Sequence, residues 1–243
     1  MMTKIFFECA DYAEVLKEAQ DKGYAVRNPE ADVEVNDACR KIAILTSLIS
    51  GQHVDFEKIH TEGITKITTE DMKYAKKLNM AIKLLASSKR VGDTFSVLVA
   101  PMLLSEEHPL CNVNDVFNAV LVTGNMLGDA MFYGKGAGKL PTPSAVVADV
   151  IDCAGNPGKT LMRGWTEEPA KLAEIDNVKN AFFLRVAASA KKDAEKLLKD
   201  AGMFVAPGRT EDFGYFTQPM TEKECREICE KLGEAVLGRI RLA

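Results

Sequence analysis

Residues whose side chains could do chemistry are concentrated in residues 31–41, which have the sequence ADVEVNDACRK. Asp37 and Lys41 are four residues apart, so on a helix they would face the same side. An ion pair is one explanation for them, because such pairs stabilise helix surfaces. The other explanation is catalytic. The apolar segment IAILTSLIS follows Lys41 directly, which would place the ammonium at the rim of a buried core, where a lysine can serve as a general acid or base.

A second candidate site is the segment GKGAGKLPT, residues 134–142, which precedes a predicted helix. Its glycines would let backbone N–H groups approach an anion, and the helix N-terminus would favour negative charge. The segment departs from the two common phosphate-binding patterns. Leu140 follows Lys139 where a Walker A loop has Ser or Thr, and Lys139 stands at the third glycine position of GxGxxG. A tight turn before a helix also explains these glycines.

The composition excludes several classes of protein. A chain of 243 residues that is 47% apolar can bury one large core or two small ones. Its net charge of −4 provides no basic surface for nucleic acid. Apolar runs are too short to cross a bilayer and the N-terminus lacks a secretory signal, so we expect a cytoplasmic protein without a membrane partner. The six cysteines form no CxxC pair, so we predict neither a disulfide nor a metal site.

Capping and periodicity place the elements that must position these sites. We predict helices over residues 11–23, from Asn36 to Gly51, and after Thr68, and we expect the second to be central because it is apolar on nearly all sides. The segments around VGD and NMLGD have the alternation and turn residues of hairpins, so residues 81–134 are predicted to form a mainly antiparallel sheet covered by helices on one face. A helix is predicted to follow the second candidate site and to end at Gly155.

The C-terminal part has the order strand, helix, strand, strand, helix, strand, with a helix predicted over 189–202. This order is that of a ferredoxin-like βαββαβ unit. The predicted fold class is therefore α+β, with helices on a mainly antiparallel sheet followed by a small ferredoxin-like domain. We divide the chain into a first domain over 1–155, a linker over 156–177 and the C-terminal unit over 178–243.

Several long blocks occur in an order that resembles homoserine dehydrogenase. They are LKEAQDKGYAVRNPEADVEVNDACRKIAIL, VDFEKIHTEGITKITTEDMKYAKKL, VFNAVLVTGNMLGDAMFYGKGAG and PTPSAVVADVI. Together they span most of residues 1–154. The C-terminal unit resembles an ACT-like regulatory domain. The resemblance implies an oxidoreductase that interconverts L-homoserine and L-aspartate 4-semialdehyde with NAD(P), a homodimer, and an amino-acid effector at the ACT-like domain.

The same resemblance implies roles for individual residues. Lys41 would be the general acid and base, while Asp32 and Asp37 would hold the substrate ammonium and position the lysine. The glycine turn, which consists of Gly136, Ala137 and Gly138, would close against the cofactor.

Two departures from the family pattern limit what the resemblance implies. Val26 follows GYA where relatives have a substrate-binding glutamate, so a charge partner is missing. The N-terminal nucleotide-binding domain has no counterpart, so we expect a fragment without turnover of its own and NAD(P) bound mainly by the missing domain. Residues 136–155 would complete that domain, and their exposed valines would favour self-association. The alternative is a non-catalytic module that senses amino acids and dimerises.

Overall fold

The structure is a computed structural model that describes residues 35–136, 138–159, 164–199, 201–204 and 211–243, with backbone only at 203 and 204. The helix predicted over 11–23 lies outside these ranges, as do Val26, Asp32 and Ala137. The helices are α1 Asn36–Ser50, α2 Thr69–Lys77, α3 Pro141–Gly155, α4 Lys191–Leu197 and α5 Glu222–Leu232. The strands are β1 Gln52–His53, β2 His60–Thr61, β3 Met80–Val91, β4 Thr94–Ser105, β5 Phe117–Gly124, β6 Gly128–Lys135, β7 Thr166–Pro169, β8 Lys179–Asn180, β9 Phe182–Ala187, β10 Gly202–Phe204, β11 Asp212–Phe216, β12 Met220–Thr221 and β13 Val236–Leu242.

A seven-stranded sheet organises the molecule. Its order is β10-β11-β9-β13-β4-β2, and β3 pairs with β4. The elements β9, α4, β10, β11, α5 and β13 follow the βαββαβ order predicted for the C-terminal unit, and their neighbouring strands are antiparallel. The helix predicted over 189–202 is shorter, because α4 ends at Leu197 and Gly202 already begins β10. The fold is therefore mixed, with helices and sheets.

The sheet runs across the predicted boundary between the domains. Strand β13 pairs in parallel with β4, where Arg241 is the partner of Met102 and Leu242 of Leu103. Residues before and after the predicted linker therefore belong to one hydrogen-bonded sheet. The predicted linker itself contains β7, which pairs with β1. These contacts join residues more than a hundred positions apart, which local sequence patterns do not register.

Strand β9 shows how the C-terminal unit is covered on both faces. Its residues Phe182, Leu184 and Val186 pack with residues of α4 and α5, whereas Phe183 packs with residues of α2. Alternate residues of a strand point to opposite faces, so a strand that is apolar on both faces must be covered twice. Here the second cover is α2, a helix from the part of the chain that was predicted to be a separate domain.

Strands β5 and β6 depart from the predicted single sheet over 81–134. The predicted hairpin does form, with register from Phe117 opposite Lys135 to Gly124 opposite Gly128. The two strands make a separate two-stranded sheet instead of extending the pair β3 and β4. The sequence predicts the hairpin, because the turn residues that form it are adjacent in the chain. It does not predict which other elements the hairpin packs against.

Helix α1 is half buried, and the prediction of a fully central helix is wrong. One face is buried, whereas Ile44, Leu48 and Ile49 on the other are exposed. The helix starts at Asn36 as predicted, and the residue at its N-cap is Val35, with φ 60°. The end is as predicted: Gly51 has φ 72°, and its N–H donates to the carbonyl of Ser47.

Candidate functional site

Asp37 and Lys41 lie in the first half of α1 and form an ion pair. Lys41 Nζ is 2.7 Å from Asp37 Oδ2, and the two side chains are 71% and 58% exposed. The i,i+4 pair expected from spacing is therefore present. The expectation that Lys41 lies at the rim of the core is wrong for the structure described, since this side of α1 faces solvent. Such a position leaves both groups accessible to a substrate.

The opposite face of α1 fixes the direction in which the pair points. Cys39 is buried, and its Sγ donates to the carbonyl of Phe56 at 3.3 Å. Burial raises the pKa of the Cys39 thiol, although the charge of Arg40 acts against it. The Arg40 guanidinium lies 5.2 Å from the centre of the Phe56 ring. These contacts anchor the first turns of α1 without using Asp37 or Lys41, so the pair is left free to meet a ligand.

The second candidate site, the glycine turn, joins β6 to α3. Gly138 has φ 127°, a conformation that favours glycine, and its carbonyl accepts the N–H of Thr142 at 3.4 Å at the start of α3. Gly136 donates its N–H to the carbonyl of Val116 at 3.2 Å. Gly136 and Lys139 are exposed. Exposed glycine backbone beside a lysine and a helix start can approach an anion closely.

Helix α3 presents an apolar face that the described part of the chain leaves uncovered. Every residue from 142 to 155 is exposed. Val146, Val147, Val150 and Ile151 are each more than half exposed. This is the surface that the sequence analysis expected to be open, and it adjoins the glycine turn.

Two clusters of buried charge were not predicted from the sequence, and Arg185 is the centre of the first. Its guanidinium donates to Asp71 Oδ1 at 2.8 Å, to Asp212 Oδ2 at 3.0 Å and to the hydroxyl of Thr68 at 3.0 Å. Burial alone would lower the pKa of Arg185, but hydrogen bonds and attraction from Asp71 and Asp212 raise it. The cluster connects α2 to β9 and β11. Its sequence signal was an arginine inside the apolar strand FFLRVA, because a buried charge needs a partner.

The second cluster is centred on Arg241, which is buried in β13. Its guanidinium contacts Glu222 at 2.5 Å and 2.8 Å, and Glu62 at 2.8 Å and 2.7 Å. Glu62 also accepts from Arg239 at 2.9 Å and lies 2.8 Å from His60 Nε2. Glu62 follows β2, whereas Glu222 begins α5, so the cluster connects the C-terminal unit to the part that carries α1.

Glu62 gives this cluster a predictable dependence on pH. Burial would raise the pKa of Glu62, but hydrogen bonds from Arg241 and His60, with the charges of Arg241 and Arg239, hold it well below its ordinary value of 4.5. A carboxyl group whose pKa is lowered by folding stabilises the folded state at pH values above its ordinary pKa. This stabilisation is lost as the pH falls below that value. We expect Glu62→Gln to lower the free energy of unfolding at pH 7 by about 1.5–3 kcal/mol. The loss should shrink below pH 4.5, as measured by urea unfolding at several pH values. A loss that is equal at every pH would contradict this role for Glu62.

The described residues contain neither a grouped set of three His, Cys, Asp or Glu that could hold a metal ion nor a helix long and apolar enough to span a bilayer. Cys225 and Cys229 are four residues apart on α5. The pKa of the Cys225 thiol is raised by its hydrogen bond with Cys229 and by burial. The same hydrogen bond lowers the pKa of the Cys229 thiol. Cys225 is fully buried, and a raised pKa makes its thiol unreactive.

One family model matches the part of the chain that contains both candidate sites. The family model for homoserine dehydrogenase matches residues 1–151, a range that includes α1, the glycine turn and most of α3. The chain belongs to the homoserine dehydrogenase family. The homoserine dehydrogenase of Bacillus subtilis is 46% identical over 151 residues, which are 62% of this chain and 35% of that protein. That of Neisseria gonorrhoeae is 47% identical over 190 residues, or 73% of this chain and 42% of that protein.

Solved structures of homoserine dehydrogenases resemble the whole chain or about two thirds of it. The crystal structure from Thiobacillus denitrificans is 32% identical, with a TM-score of 0.85, and the match covers 100% of this chain and 61% of that one. A hyperthermophilic archaeal homoserine dehydrogenase in complex with NADPH is 26% identical, with a TM-score of 0.51, over 66% of this chain. The chain thus spans less than half the length of the curated relatives named above and about three fifths of the first structure.

Proposed function

We propose that this chain supplies the substrate-binding and proton-transferring part of an NAD(P)-dependent homoserine dehydrogenase of cytoplasmic amino-acid biosynthesis. The reaction is the interconversion of L-homoserine and L-aspartate 4-semialdehyde. The observation that carries the proposal is the exposed pair of Asp37 and Lys41, 2.7 Å apart, on a helix inside the matched range. The opposite face of this helix packs against the rest of the chain, so the side chains of the pair are accessible to a substrate.

The proposed chemistry assigns a proton transfer to Lys41. NAD(P), when bound, supplies or accepts the hydride. In reduction the aldehyde oxygen gains negative charge, and Lys41 Nζ donates a proton to it; in oxidation Lys41 takes the hydroxyl proton. Asp37 holds the lysine amino group in place. Asp32 and Asp37 bind the ammonium of the amino-acid substrate, while Val26 offers no charge to it.

The glycine turn is proposed to meet the cofactor from one side. Gly136, Ala137 and Gly138 would lie against NAD(P), with Lys139 beside them. Because the curated relatives are more than twice as long as their matched segments, we propose that the rest of the cofactor site belongs to the part of those proteins that this chain does not span.

A chimaera tests this proposal directly. The portion of the Bacillus subtilis relative that precedes its match, which is 46% identical over 151 residues, would be fused ahead of this chain. We expect NAD(P)-dependent oxidation of L-homoserine by the chimaera and none by the 243-residue chain alone. A chimaera that folds and binds NADPH but leaves L-homoserine unchanged would overturn the proposal.

The apolar face of α3 is proposed to be covered by the nucleotide-binding portion. Alone, the chain should self-associate through it, because large exposed apolar patches drive association. We expect Val150→Lys, at a side chain 61% exposed, to lower the self-association of the chain in sedimentation velocity. Val91→Lys is the matched control, at 60% exposure on a hairpin away from α3. An equal effect of both variants would contradict self-association through the face of α3.

We propose a homodimer for the whole protein, so the chimaera should sediment as a dimer.

The C-terminal unit is proposed to be an ACT-like regulatory domain that binds an amino acid. Its βαββαβ order supports this proposal. Because α2 covers one face of its sheet, the test uses the whole chain and not an excised fragment. We expect calorimetry to show binding of L-threonine and none of D-threonine. Binding of L-threonine by a chimaera without turnover would favour the alternative, a non-catalytic amino-acid sensor. Absence of binding would count against an effector role for threonine.

A further inference from the structure

The side chain of Asn118 occupies the space that a side chain at Gly136 would need. A Cβ built on Gly136 would overlap Asn118 Nδ2 and lie 2.8 Å from its Cγ. Asn118 belongs to β5, where it is paired with Gly134 of β6. Its carboxamide therefore reaches diagonally across the hairpin and packs on the bare Cα of the first residue of the glycine turn.

The two described glycines of the turn differ in what limits a substitution. Gly138 has φ 127°, so its backbone conformation demands glycine. The φ of Gly136 does not lie in that region. Its backbone would accept another residue, but a Cβ there would displace the side chain of Asn118 from its present position. The position of the Asn118 side chain and the absence of a side chain at the exit of β6 therefore depend on each other.

Hydrogen bonds to a single carbonyl reinforce this contact. The carbonyl of Val116 accepts the N–H of Gly136 at 3.2 Å and the side-chain amide of Asn118 at 3.5 Å. The carboxamide and the backbone of Gly136 are thus held against the same point of the chain. Asn118 is exposed, so burial does not explain why its side chain lies there.

We propose that Asn118 is a positioning residue, whose carboxamide holds Gly136 in the conformation from which the glycine turn meets the nicotinamide cofactor. This inference rests on the proposed function, because it assumes that the turn contacts NAD(P). It assigns Asn118 no contact with substrate. Loss of the Asn118 carboxamide should weaken the binding of the cofactor more than it slows the chemical step.

A double-mutant cycle in the chimaera tests the inference. We expect Asn118→Ala and Gly136→Ala each to raise the KM for the cofactor about two- to tenfold, the scale of one hydrogen bond, with less change in kcat. In Asn118→Ala the space beside Gly136 is free, so adding Gly136→Ala should have little further effect. Additive effects of the two substitutions, or an unchanged KM in Asn118→Ala, would overturn the positioning role. The control is Asn156→Ala, which removes an exposed amide bonded to the carbonyl of Asp152 at 3.1 Å.

A second measurement uses the 243-residue chain and needs no activity. Trypsin can cut the bond between Lys135 and Gly136, and it should do so faster in Asn118→Ala than in the unsubstituted chain and in Asn156→Ala. Equal rates would show that Asn118 does not order the turn. If the unsubstituted chimaera has no turnover, the proposed function fails, while the cleavage rates still decide whether Asn118 holds Gly136.

Discussion

Replacing Lys41 with alanine is expected to lower kcat for homoserine oxidation by the chimaera by about 10²- to 10⁴-fold, the usual contribution of a positioned general acid or base. The physical reason is that no other described group is proposed to take the hydroxyl proton. Stability should change little, because the Lys41 side chain is 71% exposed and its ion pair with Asp37 lies at the surface. Activity and thermal unfolding of the same preparation would be measured together.

Lys171 provides a matched control for this substitution. It forms an ion pair with Asp93 at 2.9 Å, and its side chain is 70% exposed, nearly the same as that of Lys41. Lys171→Ala should leave turnover unchanged, because this pair lies outside the proposed site. A similar loss in both variants would indicate that removing a surface cation, and not a proton donor, causes the effect.

Lys41→Arg separates proton transfer from simple ion pairing. Arginine retains the positive charge and can pair with Asp37, but its guanidinium does not give up a proton in proteins. We therefore expect Lys41→Arg to be nearly as inactive as Lys41→Ala. Recovery of turnover in Lys41→Arg would reduce the role of residue 41 to charge, and full activity in Lys41→Ala would remove it from the mechanism.

Features of the fold that depend on neighbouring residues could be predicted from the sequence. Capping boxes form at Thr68 and Thr221, and each involves groups only three residues apart. The turn at Gly92, with φ 62°, also follows from local chemistry. The pairing of β13 with β4 could not be predicted, because it joins positions about 140 residues apart.

For the candidate site as well, local features could be predicted from the sequence and long-range ones could not. The pairing of Asp37 and Lys41 follows from their spacing on a helix. Their exposure does not, because it depends on which face of α1 the sheet covers, and α1 is apolar on both. The buried charge clusters had a local signal, the arginines within apolar strands. Their carboxylate partners come from distant segments that no spacing rule connects.

The largest effect on stability is expected from Arg185→Met. Arg185 is buried, with Asp71 and Asp212 as its ionic partners, and both carboxylates are buried as well. Methionine fills much of the same volume but leaves two carboxylates without their cation. Breaking a buried ion pair in this way costs about 3–5 kcal/mol, because the remaining charge stays desolvated. Urea unfolding at pH 7 would measure the loss.

A cationic replacement and a matched control distinguish lost charge from lost packing. Arg185→Lys keeps a cation beside Asp71 and Asp212, so it should lose less stability than Arg185→Met. Arg226→Met is the control, since Arg226 pairs with Asp176 at 2.7 Å on the surface and should affect stability little. An equal loss in Arg185→Lys and Arg185→Met would mean that packing, and not charge, holds α2 against β9.

Because this cluster joins the C-terminal unit to the part that carries Lys41, the two should unfold in one transition in the unsubstituted chain. Loss of that single transition in Arg185→Met, with Arg226→Met unchanged, would show that the buried charges make the two parts one cooperative structure.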